Sequence, residues 1–196
     1  MRRLRSALII GLGLVLLLSS CANQTRIYRN TVTTNYRPAE YGYGAGRRDL
    51  LTVIRGDPFG LGQQRFEAAM IEVLARHPPR PQPTNFTTTP GPSARLAYRA
   101  VFLFDAPPAV LDRRLCRQPV EDLPQVEIGE ALRITAAFCR NQGLLTAVAG
   151  DIPGGLTGID DPKFDDLIEL VIARLFPNVN PDTDDDRRRL FVTSAQ

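Results

Sequence analysis

The first twenty residues limit what this chain can fold into, because they have the pattern of a segment that an exported protein loses. Three arginines within the first five residues precede an uninterrupted apolar run from Ala7 to Leu18. Positive charge followed by a short apolar stretch is the order of a secretory signal. The run is about twelve residues long, whereas a membrane-spanning helix needs roughly twenty. We therefore expect residues 1–20 to be a cleaved signal peptide, and the fold to be built from the remaining chain.

The end of the apolar run carries a second signal, Leu18-Ser19-Ser20-Cys21. It resembles the lipobox of bacterial lipoproteins, in which a leucine and small residues precede an obligatory cysteine; serine at position 20 is a mild departure from glycine or alanine. The resemblance covers only about the first twenty-one residues. It implies that the Cys21 thiol receives a diacylglyceryl group, and that the new amino terminus is acylated after cleavage. The alternative is an ordinary cleaved signal followed by an incidental cysteine.

The same resemblance implies where the protein works. Several acyl chains on Cys21 would anchor it stably to a membrane, since each buried methylene contributes about 0.8 kcal/mol and one chain alone is marginal. The expected location is the cell envelope, with the protein facing the periplasm. In enteric bacteria an aspartate after the lipidated cysteine favours retention in the inner membrane. Ala22 stands there instead, which favours the outer membrane over the inner one.

The charge balance argues against a nucleic-acid partner. Of the 24 basic residues three lie in the signal, which contains none of the 21 acidic residues, so the mature chain is balanced at 21 of each. Nucleic-acid binding requires a basic footprint, and none remains after processing. The mature length of 176 residues fits one ordinary domain with tails.

Composition divides the mature chain into three parts. Residues 21–48 lack a helical period and contain a tyrosine and glycine patch at 41–46, so they are predicted to be the lipidated N-terminus and a flexible tether. An alternative is that these tyrosines dock a partner or stack on sugar rings. Residues 49–177 are predicted to form a single α+β domain, and residues 178–196 a charged C-terminal tail.

Within the domain, hydrophobic periodicity predicts the elements. Alternation and short apolar runs indicate strands, and apolar residues three and four apart indicate amphipathic helices. Asp161-Pro162 is typical of a helix start, with aspartate as the cap. Asn141-Gln142-Gly143 predicts a hairpin with a type I turn and a glycine bulge. The predicted strands are Leu50–Ile54, Ala94–Phe104, Ala131–Arg140 and Leu144–Asp151; the predicted helices are Leu61–Arg76, Pro162–Phe176 and a short one at Pro108–Cys116; an edge strand is predicted at Leu190–Thr193.

This order predicts an α+β fold. Hairpin-linked strands with two one-sided helices suit an antiparallel or mixed sheet of about four strands, with both amphipathic helices on one face. The proline-rich segment 77–93 is expected to be an exposed excursion.

Two cysteines remain beyond the anchor, and an exported chain meets oxidising conditions. A disulfide between Cys116 and Cys139 is one interpretation, and two small buried apolar side chains are the other. Spacing cannot choose between them, because disulfide geometry is three-dimensional.

Candidate catalytic groups are few. His77 is the only histidine, and its place at a predicted helix end suggests an interaction with the helix dipole rather than catalysis. Carboxylates stand in pairs at Asp160/Asp161 and Asp165/Asp166, so acid-base hydrolysis of glycosides stays open.

No metal ligands and no cofactor are predicted. Neither His77 nor the cysteines have ligand neighbours in sequence, and the aspartates at 182–186 lack the glycine and the terminal glutamate of a calcium hand. The sequence thus predicts a lipid-anchored envelope lipoprotein without catalytic activity. Its expected partners are the membrane, through Cys21, and an envelope protein or cell-wall component. The alternative is a carboxylate-dependent envelope hydrolase.

Overall fold

The four strands predicted between residues 50 and 151 are present, and two further strands come from stretches without a clear apolar pattern. The computed structural model describes residues 25–106, 112–122 and 131–180. Its strands are β1 (Arg26–Val32), β2 (Asp49–Arg55), β3 (Asn85–Thr87), β4 (Tyr98–Phe104), β5 (Ala131–Arg140) and β6 (Gly143–Pro153); its helices are α1 (Pro38–Gly44), α2 (Gln63–Arg76), α3 (Asp112–Arg117) and α4 (Pro162–Leu175), with a 3₁₀ turn at Val120–Asp122.

The strands form one mixed sheet in the order β1-β6-β5-β4-β2-β3. The pairs β1-β6, β6-β5 and β5-β4 are antiparallel, whereas β2 is parallel to both β4 and β3. The α+β class with a mixed sheet agrees with the sequence prediction. The predicted number of elements was too small, because the structure has six strands and four helices in its described residues.

The largest departure from the prediction lies in residues 26–48, which were expected to be tether. They form β1, which pairs along its length with β6, and the short helix α1. Tyr36 is fully buried, and its hydroxyl donates to the Pro177 carbonyl oxygen at 2.7 Å. Tyr41 is 4 % exposed, and its hydroxyl lies 2.8 Å from the Thr84 hydroxyl. From Arg26 onward this segment is part of the folded domain.

Both faces of the sheet are covered. The larger core lies under α2 and α4, whose buried side chains pack with Phe102, Phe104 and Ile134. The alternate residues of the same strands, among them Val101 and Leu103, face the other way and pack with α3. The period of two along a strand thus divides the sheet between two unequal cores.

The β5-β6 hairpin is present, but its turn differs from the predicted one. Arg140 pairs with Gly143, so only Asn141 and Gln142 separate the strands. Asn141 has φ +54°, which asparagine tolerates better than most residues. The positive φ therefore falls on the asparagine, and the predicted glycine bulge at the turn is wrong.

Several predicted boundaries shift. The strand predicted from Ala94 begins at Tyr98, and Leu96, predicted to face the core, is 77 % exposed. The excursion at 77–93 contains β3, whose Phe86 is buried. The domain extends past its predicted end at 177, because the buried Asn180 side chain donates to the carbonyl oxygens of Thr33 and Tyr36. Residues 1–24 and 181–196, which include Cys21, the acidic run and the predicted edge strand, lie outside the described residues.

Candidate functional site

The start of the fold lies close to the predicted lipidation site. Thr25, the first residue described, follows Cys21 by four positions, and β1 begins at the next residue. The Thr25 hydroxyl donates to the Lys163 carbonyl oxygen at 3.4 Å, near the beginning of α4. The chain that leaves Cys21 therefore enters the sheet almost at once.

Two largely buried carboxylates fasten β1 to the domain. Arg26 donates through Nε and Nη2 to both oxygens of Asp151, at 2.5 and 2.9 Å. The Asp151 side chain is only 8 % exposed, whereas that of Arg26 is 64 % exposed. On the same strand, Arg29 and Thr31 contact Asp112 of α3 at 2.8 and 2.9 Å. A two-pronged contact between arginine and a carboxylate fixes orientation as well as adding energy.

Two loops lie at the same end of the sheet as the start of β1, and we call this region the lower end: residues 25–26, the 56–62 loop and the 153–161 loop. Arg26 pairs with Asp151, just before β6 leads into the second loop. The 56–62 loop packs near the second loop through Phe59, whose ring centroid lies 5.3 Å from that of Phe164 at the start of α4. The β5-β6 turn lies at the opposite, upper end.

A leucine stands out on the lower end. Leu61 is 40 % exposed and lies between Gly60 and Gly62, both at positive φ and both with open space where a Cβ would be. The Asp57 carboxylate accepts hydrogen bonds from the backbone amides of Phe59 and Gly62, at 3.2 and 2.5 Å. The loop thus has internal hydrogen bonds that hold Leu61 at its tip.

The second face carries a covalent link. Cys116 of α3 and Cys139 of β5 form a disulfide, with a Cα to Cα distance of 5.6 Å, and both residues are fully buried. A shallow cleft of about 360 Å³ lies beside it and includes Arg99 and Arg117. The disulfide joins α3 covalently to the sheet.

The paired carboxylates of the hydrolase alternative do not form a shared centre. Asp161 caps α4, accepting from the backbone amides of Lys163 and Thr157, and these bonds lower its pKa. Asp165 lies 2.7 Å from Arg76 and 2.9 Å from His77. Burial raises the pKa of Asp165, but the hydrogen bonds from those two partners outweigh it, so the pKa is lowered. The side chains of Asp160 and Asp166 are exposed.

His77 has two roles at the end of α2. Its backbone amide donates to the Leu74 carbonyl oxygen at the helix end, and its ring contacts Asp165. The ring borders a cleft of about 290 Å³ between the segment after α2 and the outer side of α4. The residues that line this cleft include the polar Arg76, His77 and Glu169 and the apolar Ile172 and Phe176.

Sequence reasoning missed two polar features. Asp105, just after β4, is a buried carboxyl at φ +53°, and burial raises its pKa. At the upper end Glu40 accepts from the Tyr98 hydroxyl at 2.7 Å and from Arg140 at 2.8 Å. Both depend on contacts between distant segments, and no local pattern marks either.

The described residues contain no group of three or more histidine, cysteine, aspartate or glutamate side chains placed to hold a metal ion. Within the same residues, no helix is long and apolar enough to cross a membrane. Comparison with known protein families, curated proteins and solved structures finds no match to this chain.

Proposed function

We propose that this protein is a bacterial lipoprotein of the cell envelope, held on a membrane by acyl chains on Cys21. Its folded domain faces the periplasm and acts by binding an envelope protein or a cell-wall component, without catalysis of its own. The outer membrane is the proposed site, on the evidence of Ala22.

The observation that carries the proposal is the order of features around Cys21. A basic start, a short apolar run and small residues lead to Cys21, and five residues further on the chain enters β1. In the proposed mature protein Cys21 is the amino-terminal residue and precedes the first strand by five positions. This arrangement suits a residue whose role is chemical attachment.

The proposed absence of catalysis is supported by how the candidate groups are engaged. Asp161 is committed to the helix cap, and Asp165 to Arg76 and His77. A nucleophile needs an adjacent base, and in the described residues the ring of His77 contacts Asp165 rather than a serine, threonine or cysteine. These contacts give the candidate side chains structural roles.

Replacement of Cys21 by serine tests the anchoring. In membrane fractionation of producing cells, the wild type and a Ser20→Ala control, which keeps a small residue before the cut, are expected in the membrane pellet. Cys21→Ser is expected to leave that pellet or to accumulate uncleaved. A Cys21→Ser protein that is cleaved normally and stays in the membrane would refute the proposal.

Partner binding is tested by crosslinking in intact envelopes. A photoreactive residue at Glu169, in the cleft beside α4, is compared with one at the exposed Glu72 of α2. If the partner binds in this cleft, a specific protein or cell-wall adduct is expected at position 169 and not at position 72. Adducts that do not differ between the two positions, or none at either, would contradict binding through this cleft.

A further inference from the structure

The lower end of the domain is the part that the proposed anchor brings nearest to lipid. We propose that it lies directly on the bilayer surface to which Cys21 is attached, with Leu61 in contact with the lipid. This inference rests on the proposed function and adds the orientation of the domain and the surface that it uses.

The first argument is reach. Thr25 follows Cys21 by four positions, and a fully extended chain spans at most about 3.6 Å per position, so this link is no longer than roughly 14 Å. A folded domain of this size has a radius of gyration on the order of 14 Å. The link is therefore short compared with the diameter of the domain. A domain held so closely cannot turn its upper end to the membrane.

The second argument is that separating β1 from β6, which would lengthen the link, is costly. Arg26 is held by both oxygens of a buried carboxylate, Asp151, and Arg29 and Thr31 are held by Asp112. Gly150 lets β1 approach β6 closely, since a Cβ there would lie 2.8 Å from the Arg26 carbonyl oxygen. The strand is thus fitted to its neighbour from its first residue.

The third argument is the chemistry of the lower end. Among the described residues of this end, Leu61 is the large apolar side chain that is exposed, and the hydrogen bonds of Asp57 hold its loop in shape. The exposed Lys163 lies near the start of the same end, where Arg26 is already paired with Asp151 and the exposed Asp160 stands in the adjoining loop. The charges of this end are therefore mixed, and the exposed apolar tip is the feature that suits the interface between lipid headgroups and acyl chains.

The test uses the full-length acylated protein in vesicles of phosphatidylethanolamine and phosphatidylglycerol. An environment-sensitive fluorophore is attached at Leu61→Cys, and in a matched variant at Gln142→Cys in the upper-end turn. Spin-labelled lipids are expected to quench the probe at position 61 at least threefold more than the probe at position 142. Equal or reversed quenching in protein that floats with the vesicles would overturn the orientation and leave the lipoprotein proposal intact. Protein that does not float would overturn both.

Two further variants test whether the short link after Cys21 sets the orientation, and whether lipid or protein contacts position 61. Insertion of twenty glycine and serine residues between Ala22 and Asn23 is expected to keep flotation and to reduce the difference in quenching between the two positions. In intact envelopes, a photoreactive group at position 61 is expected to form lipid adducts. A protein adduct in their place, whether with a second copy or another protein, would overturn the assignment of this end to lipid.

Discussion

Asp105 is a carboxyl group that the fold buries next to the backbone of β5. It is 9 % exposed, and burial raises its pKa, while a hydrogen bond accepted from the Arg133 backbone and the positive charge of Arg133 act in the opposite direction. Nothing in the sequence around Phe104-Asp105-Ala106 marks this, because the burial depends on β5, which is distant along the chain. Such a group is visible only once the strands are paired.

The raised pKa gives a prediction with a defined sign. The folded state binds the Asp105 proton more tightly than the unfolded chain does, so stability falls as pH rises from the unfolded value, about 3.9, through the folded pKa. An asparagine side chain in its place would avoid the cost of the buried charge, and asparagine tolerates positive φ. We expect Asp105→Asn to raise the free energy of unfolding at pH 7 on the order of 1 kcal/mol.

Urea denaturation as a function of pH measures this effect. The advantage of Asp105→Asn should shrink as the pH is lowered below the folded pKa, while the exposed control Asp160→Asn should change little at any pH. A variant that is less stable than the wild type at pH 7 would mean that the Asp105 charge stabilises the fold.

At the scale of elements, the sequence predicts those with a clear period. The stripes of α2 and α4, the alternation of β4 and the β5-β6 hairpin could all be recognised from local residues. The strand β1 could not, since a register shift between Ile27 and Arg29 breaks its period of two, so that Ile27 and Val32, which both pack against the larger core, are five residues apart. Its partner β6 also lies more than a hundred residues later. An edge strand has only one neighbour, so its composition carries a weaker signal.

The segment 26–48 offers a matched pair of tyrosines that tests its place in the fold. Tyr36 is fully buried, whereas Tyr43 is 53 % exposed and lies under the Arg95 guanidinium at 3.7 Å. Tyr36→Ala should lower the free energy of unfolding by about 3 to 5 kcal/mol, the usual cost of removing a buried aromatic ring. Tyr43→Ala should cost about 1 kcal/mol or less. Equal small losses in chemical denaturation would restore the view that this segment is tether.

The link between α3 and β5 is a second element-scale prediction. Cys116 and Cys139 are 23 residues apart, and a bridge closing a loop of this size stabilises a fold by about 3 kcal/mol, chiefly by restricting the unfolded chain. Guanidinium denaturation with and without reductant should differ by about that amount. The Cys116→Ala/Cys139→Ala variant should be insensitive to reductant. Identical curves for oxidised and reduced wild type would contradict a stabilising bridge.

At the scale of the whole molecule, the predicted lipidation site and the first strand are separated by only a short stretch of chain. The sequence predicted Cys21 as an attachment point but placed some 27 residues between it and the domain. In the structure β1 starts at Arg26, five positions after Cys21, so the distance between the proposed lipid and the domain is much smaller. The sequence overestimated this spacing because it could not predict the pairing of β1 with β6.

The residues of the candidate site were also predictable only where local residues define them. Local patterns identified the cap at Asp161 and the position of His77 at a helix end. They could not identify the partners of Arg26 or the exposure of Leu61, since these depend on how loops from distant segments meet at the lower end. Interactions between residues that are close in sequence can be predicted from local patterns. Interactions between residues that only tertiary contacts bring together cannot.

The central claim is that Cys21 is the acylated amino terminus of the mature protein, and it is tested most directly by mass spectrometry of protein purified from membranes. We predict an amino-terminal peptide that begins at Cys21 and carries a diacylglyceryl group on its thiol, with a further acyl chain on its amino group. A mature chain that begins elsewhere, or that begins at Cys21 with a free thiol, would contradict the account.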